Sequence, residues 1–236
     1  MNIANYERIQ KVLARHGHGS RRKVESMLQE GRIRINGKVA KLGDKVCVTD
    51  IIYIDNKPIK LDDFTQTKVL IYNKPTGEIC STNDPHHERN VFENLPDLEG
   101  NGRWVMVGRL DINSQGLVIF TNNGDYAHKL MHPNYKVARV YKVRVATKLS
   151  DEQLKQLVDG IELEDGIAKF ESIRLVRELS SNCWYKIIIV SGKNRIIRRM
   201  LASQHASVSK LIRISYGKYS LPYSLKPGHY KFVYRD

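Results

Sequence analysis

The chain alternates apolar and polar positions with two periods, and each change of period marks a new element. Ile9, Val12 and Leu13 repeat at helical spacing up to the glycines of His16-Gly17-His18-Gly19. Ser20 then caps a second helix, with Val24, Met27 and Leu28 inward and Gly31 beyond its end. Residues 32–35 alternate charge with hydrophobe, Asn36-Gly37 signals a hairpin, and short strands follow at 46–48 and 52–54. The first sixty residues therefore predict a helix pair and a small sheet.

After a patternless polar stretch at 61–68, residues 69–72 predict a strand and Asn73-Lys74-Pro75-Thr76-Gly77 a turn. The apolar runs 104–107 and 117–120 have strand length and enclose a polar loop, 108–116, at a sheet end. Asp125 caps a short helix carrying Leu130 and Met131, and Pro133 limits it. Arg139, Tyr141, Val143 and Val145 share one strand face, apolar except for Arg139. Ser150 and Gln153 form a capping box for a helix with Leu154, Leu157 and Val158 inward and Gly160 at its end. Asp165-Gly166 suggests a hairpin, and 184–190 is a β-branched run of the kind buried in a sheet centre. Ile197, Met200 and Leu201 keep helical spacing after the turn 191–195, and 211–214 is a last core strand.

Charge changes this picture in one respect. Lys and Arg number 39 against 25 acids, a formal +14, which points to a polyanionic partner, nucleic acid before a membrane surface. Residues 1–60 hold 13 basic and 6 acidic side chains, and 13 − 6 = +7 is half of that excess in a quarter of the chain, so this is a separate basic module. Arg15, Arg21, Arg22, Lys23, Arg32, Arg34 and Lys38 fall around the helix pair and first strand, either against phosphates or as a solvated face. No run approaches a membrane span and no apolar leader opens the chain; the three cysteines are far apart and odd in number. A cytoplasmic protein without a disulfide framework is expected.

Candidate chemistry is sparse. Asp111 lies in the 108–116 loop beside Arg109, with Asn113, Ser114 and Gln115 offering hydrogen bonds; it either closes an Asx turn or does chemistry. His86-His87-Glu88 supplies the HxE of zinc deaminases, but no CxxC completes it. Gly100-x-Gly102 is not at the strand-to-helix turn that a nucleotide-cofactor loop requires, which argues against a methyltransferase.

Two resemblances organise these observations. Residues 8–46, from RIQKVLARHGHGSRRKVES to KLGDKV, resemble the S-four-type RNA-binding module. Structured RNA is read there by shape and phosphate position. The remainder resembles the bacterial ribosomal pseudouridine synthases of the RsuA/RluB type, through KPTG at 74–77, GRLDxxxxGLxxxT at 108–121, the VYKV strand with Tyr141, and GKNRxIRRM at 192–200. Asn83-Asp84-Pro85, Val91-Phe92, LMHP at 130–133 and EDG at 164–166 look most like the RluB branch, which acts on large-subunit rRNA.

The resemblance implies that one uridine is isomerised in place, without cofactor or metal. It makes Asp111 the catalytic carboxylate, either attacking the sugar or deprotonating it beside the anomeric carbon. Tyr141 would stack on the flipped uracil, and Arg198 would pair with Asp111. Arg109, Lys193 and Arg195 would contact RNA. The set is physically sensible: a carboxylate in a closed pocket resists ionisation, and a fixed guanidinium opposes that. Lys193 stands where relatives often carry arginine, and the long basic tail of some members is missing.

The expected protein is thus α+β: an S-four-type domain at 1–62, a linker at 63–68, and a catalytic domain at 69–236 with a mixed, largely antiparallel sheet around a central cleft. It is expected to be a monomer whose partner is ribosomal RNA. The alternatives are a catalytically silent RNA-binding or ribosome-assembly factor, and the same chemistry on small-subunit rRNA.

Overall fold

The computed structural model describes residues 6–61, 66–81, 89–98 and 102–233. The expectations for Asp62-Asp63, Asn83 to Pro85, His86 to Glu88 and Gly100 lie outside the described residues. Two compact units are present, one of Met1–Lys68, Pro96–Val105 and Asn122–Gly124, the other of Val69–Leu95, Met106–Thr121 and Asp125–Asp236.

The first unit opens with β1 (Glu7–Arg8) and α1 (Ile9–Arg15), followed by α2 (Arg21–Gln29), β2 (Ile33–Ile35), β3 (Lys38–Val39), β4 (Lys45–Val46), β5 (Ile52–Ile54) and β6 (Lys57–Ile59). The Ser20 side chain accepts from the Lys23 amide at 3.1 Å, giving α2 its start. Asn36 and Gly37 take φ of 49° and 83°, as a two-residue hairpin between β2 and β3 demands. The sheet runs β3-β2-β5-β6, while β1 pairs with β4. Ile9, Val12, Leu13, Val24, Met27 and Leu28 pack with Ile33 and Ile52 into one core. The helices therefore cover one face of the sheet, and Arg34, between Ile33 and Ile35, is on the other.

The second unit, with Val105 and Gly124 of the first at the starts of β8 and α3, contains β7 (Val69–Lys74), β8 (Val105–Val107), β9 (Gln115–Thr121), α3 (Gly124–Met131), β10 (Arg139–Val145), α4 (Asp151–Asp159), β11 (Ile161–Leu163), β12 (Gly166–Ala168), β13 (Ser172–Leu179), β14 (Asn182–Ile189), α5 (Ile196–Ser203), β15 (Val208–Tyr216), β16 (Tyr219–Ser220) and β17 (Tyr230–Val233). Its main sheet is ordered β13-β14-β10-β15-β9-β7-β17, with β16 beside β15 and β8 beside β9. The sheet is mixed and largely antiparallel, as expected. Its parallel junction pairs β9 with β15, Gly116 opposite Arg213.

Several details differ from the sequence reading. Gln115 and Gly116 belong to β9, so the polar loop is shorter at its end. Asp125 sits in the first turn of α3 rather than before it. In α4 only Leu157 is fully buried and Val158 is 36% exposed, because a nine-residue helix lying on a sheet edge buries a narrow stripe. Strand β14 alternates buried and half-buried residues, since it lies one strand from the edge and packs on one face. His16 lies in the turn after α1 and is buried there, with its Nδ1 2.8 Å from the Val12 carbonyl.

Candidate active site

The loop that carries Asp111 is held by its carbonyl groups. Lys74 ends β7 with no exposed surface, and its ammonium donates to the carbonyls of Ser114 (2.9 Å), Asp111 (3.2 Å), Ile112 (3.4 Å) and Pro75 (2.9 Å). Gly77, at φ 91°, donates its amide to Ile112 as well. From α5, Arg198 donates to the Asn113 carbonyl at 3.2 Å and to Val208 at 3.0 Å. From β15, Arg213 donates to Leu117 at 2.7 Å and to Arg109 at 3.4 Å. Three cations on three elements thus brace one turn, and none of them uses the Asp111 carboxylate to do so.

That carboxylate faces a cleft of about 720 Å³ lined by Arg109, Tyr141, Arg139, Lys193, Arg195, Arg213 and Tyr216 among others. Among the described residues Asp111 is the one acid lining it, against five cations. Its ion pair is with Arg195, at 3.5 Å, and both side chains keep solvent contact. Arg195 takes φ of 47° immediately before α5, a left-handed conformation that costs a non-glycine residue on the order of 1 kcal/mol or more. The turn from β14 into α5 carries this strain at the mouth of the cleft.

The expected pair of Arg198 with Asp111 is not formed; Arg195 takes that place. The two arginines are three residues apart across the start of α5, so they project from the same side, and the one nearer the turn reaches the cleft while the other drops behind the loop. Burial, and then the neighbouring Arg195, disfavour the charged form of Arg198 and lower its pKa, with Asp111 acting in the opposite sense. Lys74 is also pushed below the ordinary lysine range by burial, opposed by Cys80, Glu78 and Asp111.

Tyr141 is 8% exposed and lines the cleft. Arg109 and Lys193 also line the cleft; Lys193 is tied to the Asp165 backbone carbonyl, and Arg199 holds the Asp165 carboxylate by two bonds of 2.9 Å. Sequence reasoning missed Lys74 as a brace, although it was visible as a charged residue closing an apolar strand, and missed Arg213, which shares parity with the core residue Leu211. Replacing Lys74 by Met leaves the Pro75 and Ser114 carbonyls without a donor, while Asp111 keeps the Ser114 amide and Ile112 the Gly77 amide. A destabilisation of about 2–4 kcal/mol is expected, read as a lower urea midpoint; an unchanged midpoint would show that the loop does not depend on this ammonium.

In the first unit the seven basic candidates differ in their partners. Arg15 is bound to Glu7 at 2.8 Å, and Arg32 to Asp55 by bonds of 2.7 and 2.6 Å and to Glu30 at 3.1 Å. Arg34 lies on the sheet face away from the helices. Arg21, Arg22 and Lys23 occupy the exposed first turn of α2 and, like Lys38, form no ion pair among the described residues.

The model of the family described as RNA pseudouridylate synthase matches residues 68–203, and that of the S4 domain matches residues 7–52. The chain is 45% identical over 226 residues to ribosomal large subunit pseudouridine synthase B of Yersinia pestis, across 94% of this chain and 71% of the relative. The same identity and span hold for the protein of that name from Escherichia coli strain K12, of which 77% is covered. A crystal structure of a pseudouridylate synthase matches 96% of both chains with a TM-score of 0.65 and 24% identity, a likeness of fold.

Proposed function

Because the chain belongs to the RNA pseudouridylate synthase family, we propose that it converts uridine to pseudouridine in bacterial large-subunit ribosomal RNA, with Asp111 as the carboxylate that acts on the sugar. The observation that carries this reading is that, among the described residues, a single acid is set among five cations in a cleft that has room for one extruded nucleotide. A base inside a stacked helix cannot be reached, so the nucleotide is turned out at a cost of a few kcal/mol, which phosphate contacts around the cleft offset. Tyr141 offers the ring face for the extruded uracil. Arg195, 3.5 Å from the Asp111 carboxylate, orients it, and Arg198 acts behind it as a positioning residue. Arg109, Lys193 and Arg195 ring the opening and meet the RNA backbone.

In this reading residues 1–62 anchor the substrate, 63–68 join, and 69–236 isomerise. The protein works as a cytoplasmic monomer. Among the described residues no helix is long and apolar enough to cross a membrane. Arg21, Arg22 and Lys23 suit the anchoring role best, since a helix N-terminus adds its own partial positive charge toward phosphate. Reversing Arg21 and Arg22 to Glu should weaken rRNA binding and lower the slope of log affinity against log salt by on the order of one for each phosphate no longer neutralised. Unchanged affinity and slope would remove the first unit from the role of anchor.

Mapping pseudouridine in rRNA from cells with and without the gene tests the whole proposal. Disappearance of one modified position in the large subunit is expected. Disappearance from the small subunit would move the target, and an unchanged map would favour a silent assembly factor.

A further inference from the structure

The floor of the cleft holds two buried positive charges that the braced loop alone does not explain. In the pairing of β10 with β15, Arg139 lies opposite Tyr216 and Tyr141 opposite Arg213, so guanidinium and phenol groups alternate in a two-by-two array. All four side chains line the cleft, with exposures of 8% for Arg139 and Tyr141, 1% for Arg213 and none for Tyr216. Both guanidinium carbons lie over the Tyr216 ring, at 4.5 Å for Arg139 and 5.2 Å for Arg213. Arg139 donates to the Tyr216 hydroxyl at 2.8 Å and to the carbonyls of Val137 and Val190, and Arg213 donates to the carbonyls of Leu117 and Arg109. The remaining Arg213 nitrogen, Nη2, is buried with no hydrogen-bond partner.

Every acceptor of this pair is neutral, and among the described residues neither guanidinium meets a carboxylate. Two like charges sharing one ring inside a protein are costly unless an anion answers them. Asp111 is engaged with Arg195 at the mouth, so the answering charge arrives with the ligand. The extruded nucleotide enters neutral at its base and becomes charged only during reaction. When the bond from C1′ to N1 breaks, both electrons stay on N1, and the ring becomes a uracil anion with its charge spread over O2 and O4. The sugar is satisfied by an electron pair from Asp111 at C1′ or by transfer of its C2′ proton to Asp111. The charge leaves the ring when C5 bonds to C1′ as the Asp111–C1′ bond breaks and returns its electron pair to the carboxylate, or as Asp111 gives its proton back to C2′; C5 then releases its proton while N1 takes one up.

We infer that Arg139 and Arg213, with Tyr216 between them, form the site that stabilises the detached uracil anion. A fixed field that acts only once charge has developed lowers the barrier rather than tightening ground-state binding. This inference rests on the assignment of the cleft to uridine isomerisation, and its test separates the two.

The full chain is compared with Arg213→Gln under single-turnover conditions on large-subunit rRNA transcribed with uridine or wholly with 5-fluorouridine. The C-linked nucleoside is measured in nuclease digests. With uridine the variant should be slower by roughly 10²-fold while the dissociation constant for the RNA stays within a few-fold. With 5-fluorouridine the decrease should be several-fold smaller, because the fluorine itself stabilises the ring anion. Equal decreases on the two RNAs would overturn the inference and make Arg213 a brace of the loop only. Arg139→Gln provides the same comparison if Arg213→Gln fails to fold, and equal decreases there overturn it too. An inactive wild-type chain on uridine RNA would instead sink the functional reading, and this site with it.

Discussion

Asp111→Asn should abolish isomerisation while changing RNA affinity by no more than a few-fold. The substitution keeps the shape of the side chain and removes the charge that either attacks the sugar or takes its proton. Its effect on structure is small, because the loop is fixed through the carbonyls of residues 109, 111, 112, 113 and 114 by Lys74, Gly77, Arg198 and Arg213. The ion pair with Arg195 that the substitution removes is half-exposed at 3.5 Å, a kind of interaction worth under about 1 kcal/mol. A fall in activity therefore reports on chemistry. Tritium release from rRNA labelled at carbon 5 of uridine, followed in parallel with filter binding, checks both halves. Appreciable turnover by the purified variant would refute the role given to Asp111.

Gly116→Ala should disrupt the second unit as a whole. Gly116 has φ of 106° and lies opposite Arg213 where β9 runs parallel to β15. A Cβ there would overlap the Arg213 carbonyl oxygen and stand 2.9 Å from its amide nitrogen, and both are backbone atoms that a rotamer change cannot move. The substitution thus combines a conformation that alanine rarely adopts with a clash at the junction joining β7 and β17 to the rest of the sheet. A destabilisation beyond about 4 kcal/mol is expected, seen as unfolding at much lower urea or as insoluble protein. A stability within about 1 kcal/mol of wild type, on the scale of an ordinary surface change, would show that the strands do not approach as closely as described.

Elements with a single clear period were legible in the sequence. The spacing of Ile9, Val12 and Leu13, the Asn36-Gly37 hairpin, the alternation through Tyr141 and the capping box at Ser150 all mark elements of the structure. Strand β13 was not legible. Its residues are half-buried at the start and exposed from Arg174 onward, so an edge strand with no buried face leaves no alternation to read. Strand β17 was missed for a related reason: three of its four residues are exposed, and only its pairing with β7 defines it.

The site was legible as far as its loop and its aromatic residue. What could not be read was which cation meets which group, because hydrogen bonds to main-chain carbonyls carry no sequence signature. Arg213 inside an apolar strand has the same letters as a solvated arginine on a strand edge. Only the register with Tyr141 places it under the cleft.

The braces on the 109–114 turn grip atoms that every amino acid possesses. Ile112 and Asn113 can consequently be rewritten to suit a different RNA surrounding without moving the acid between them and Arg109. A library varied at 112 and 113 alone therefore leaves the supports of the carboxylate in place, and its activities on different RNAs would measure whether these two side chains take part in target choice.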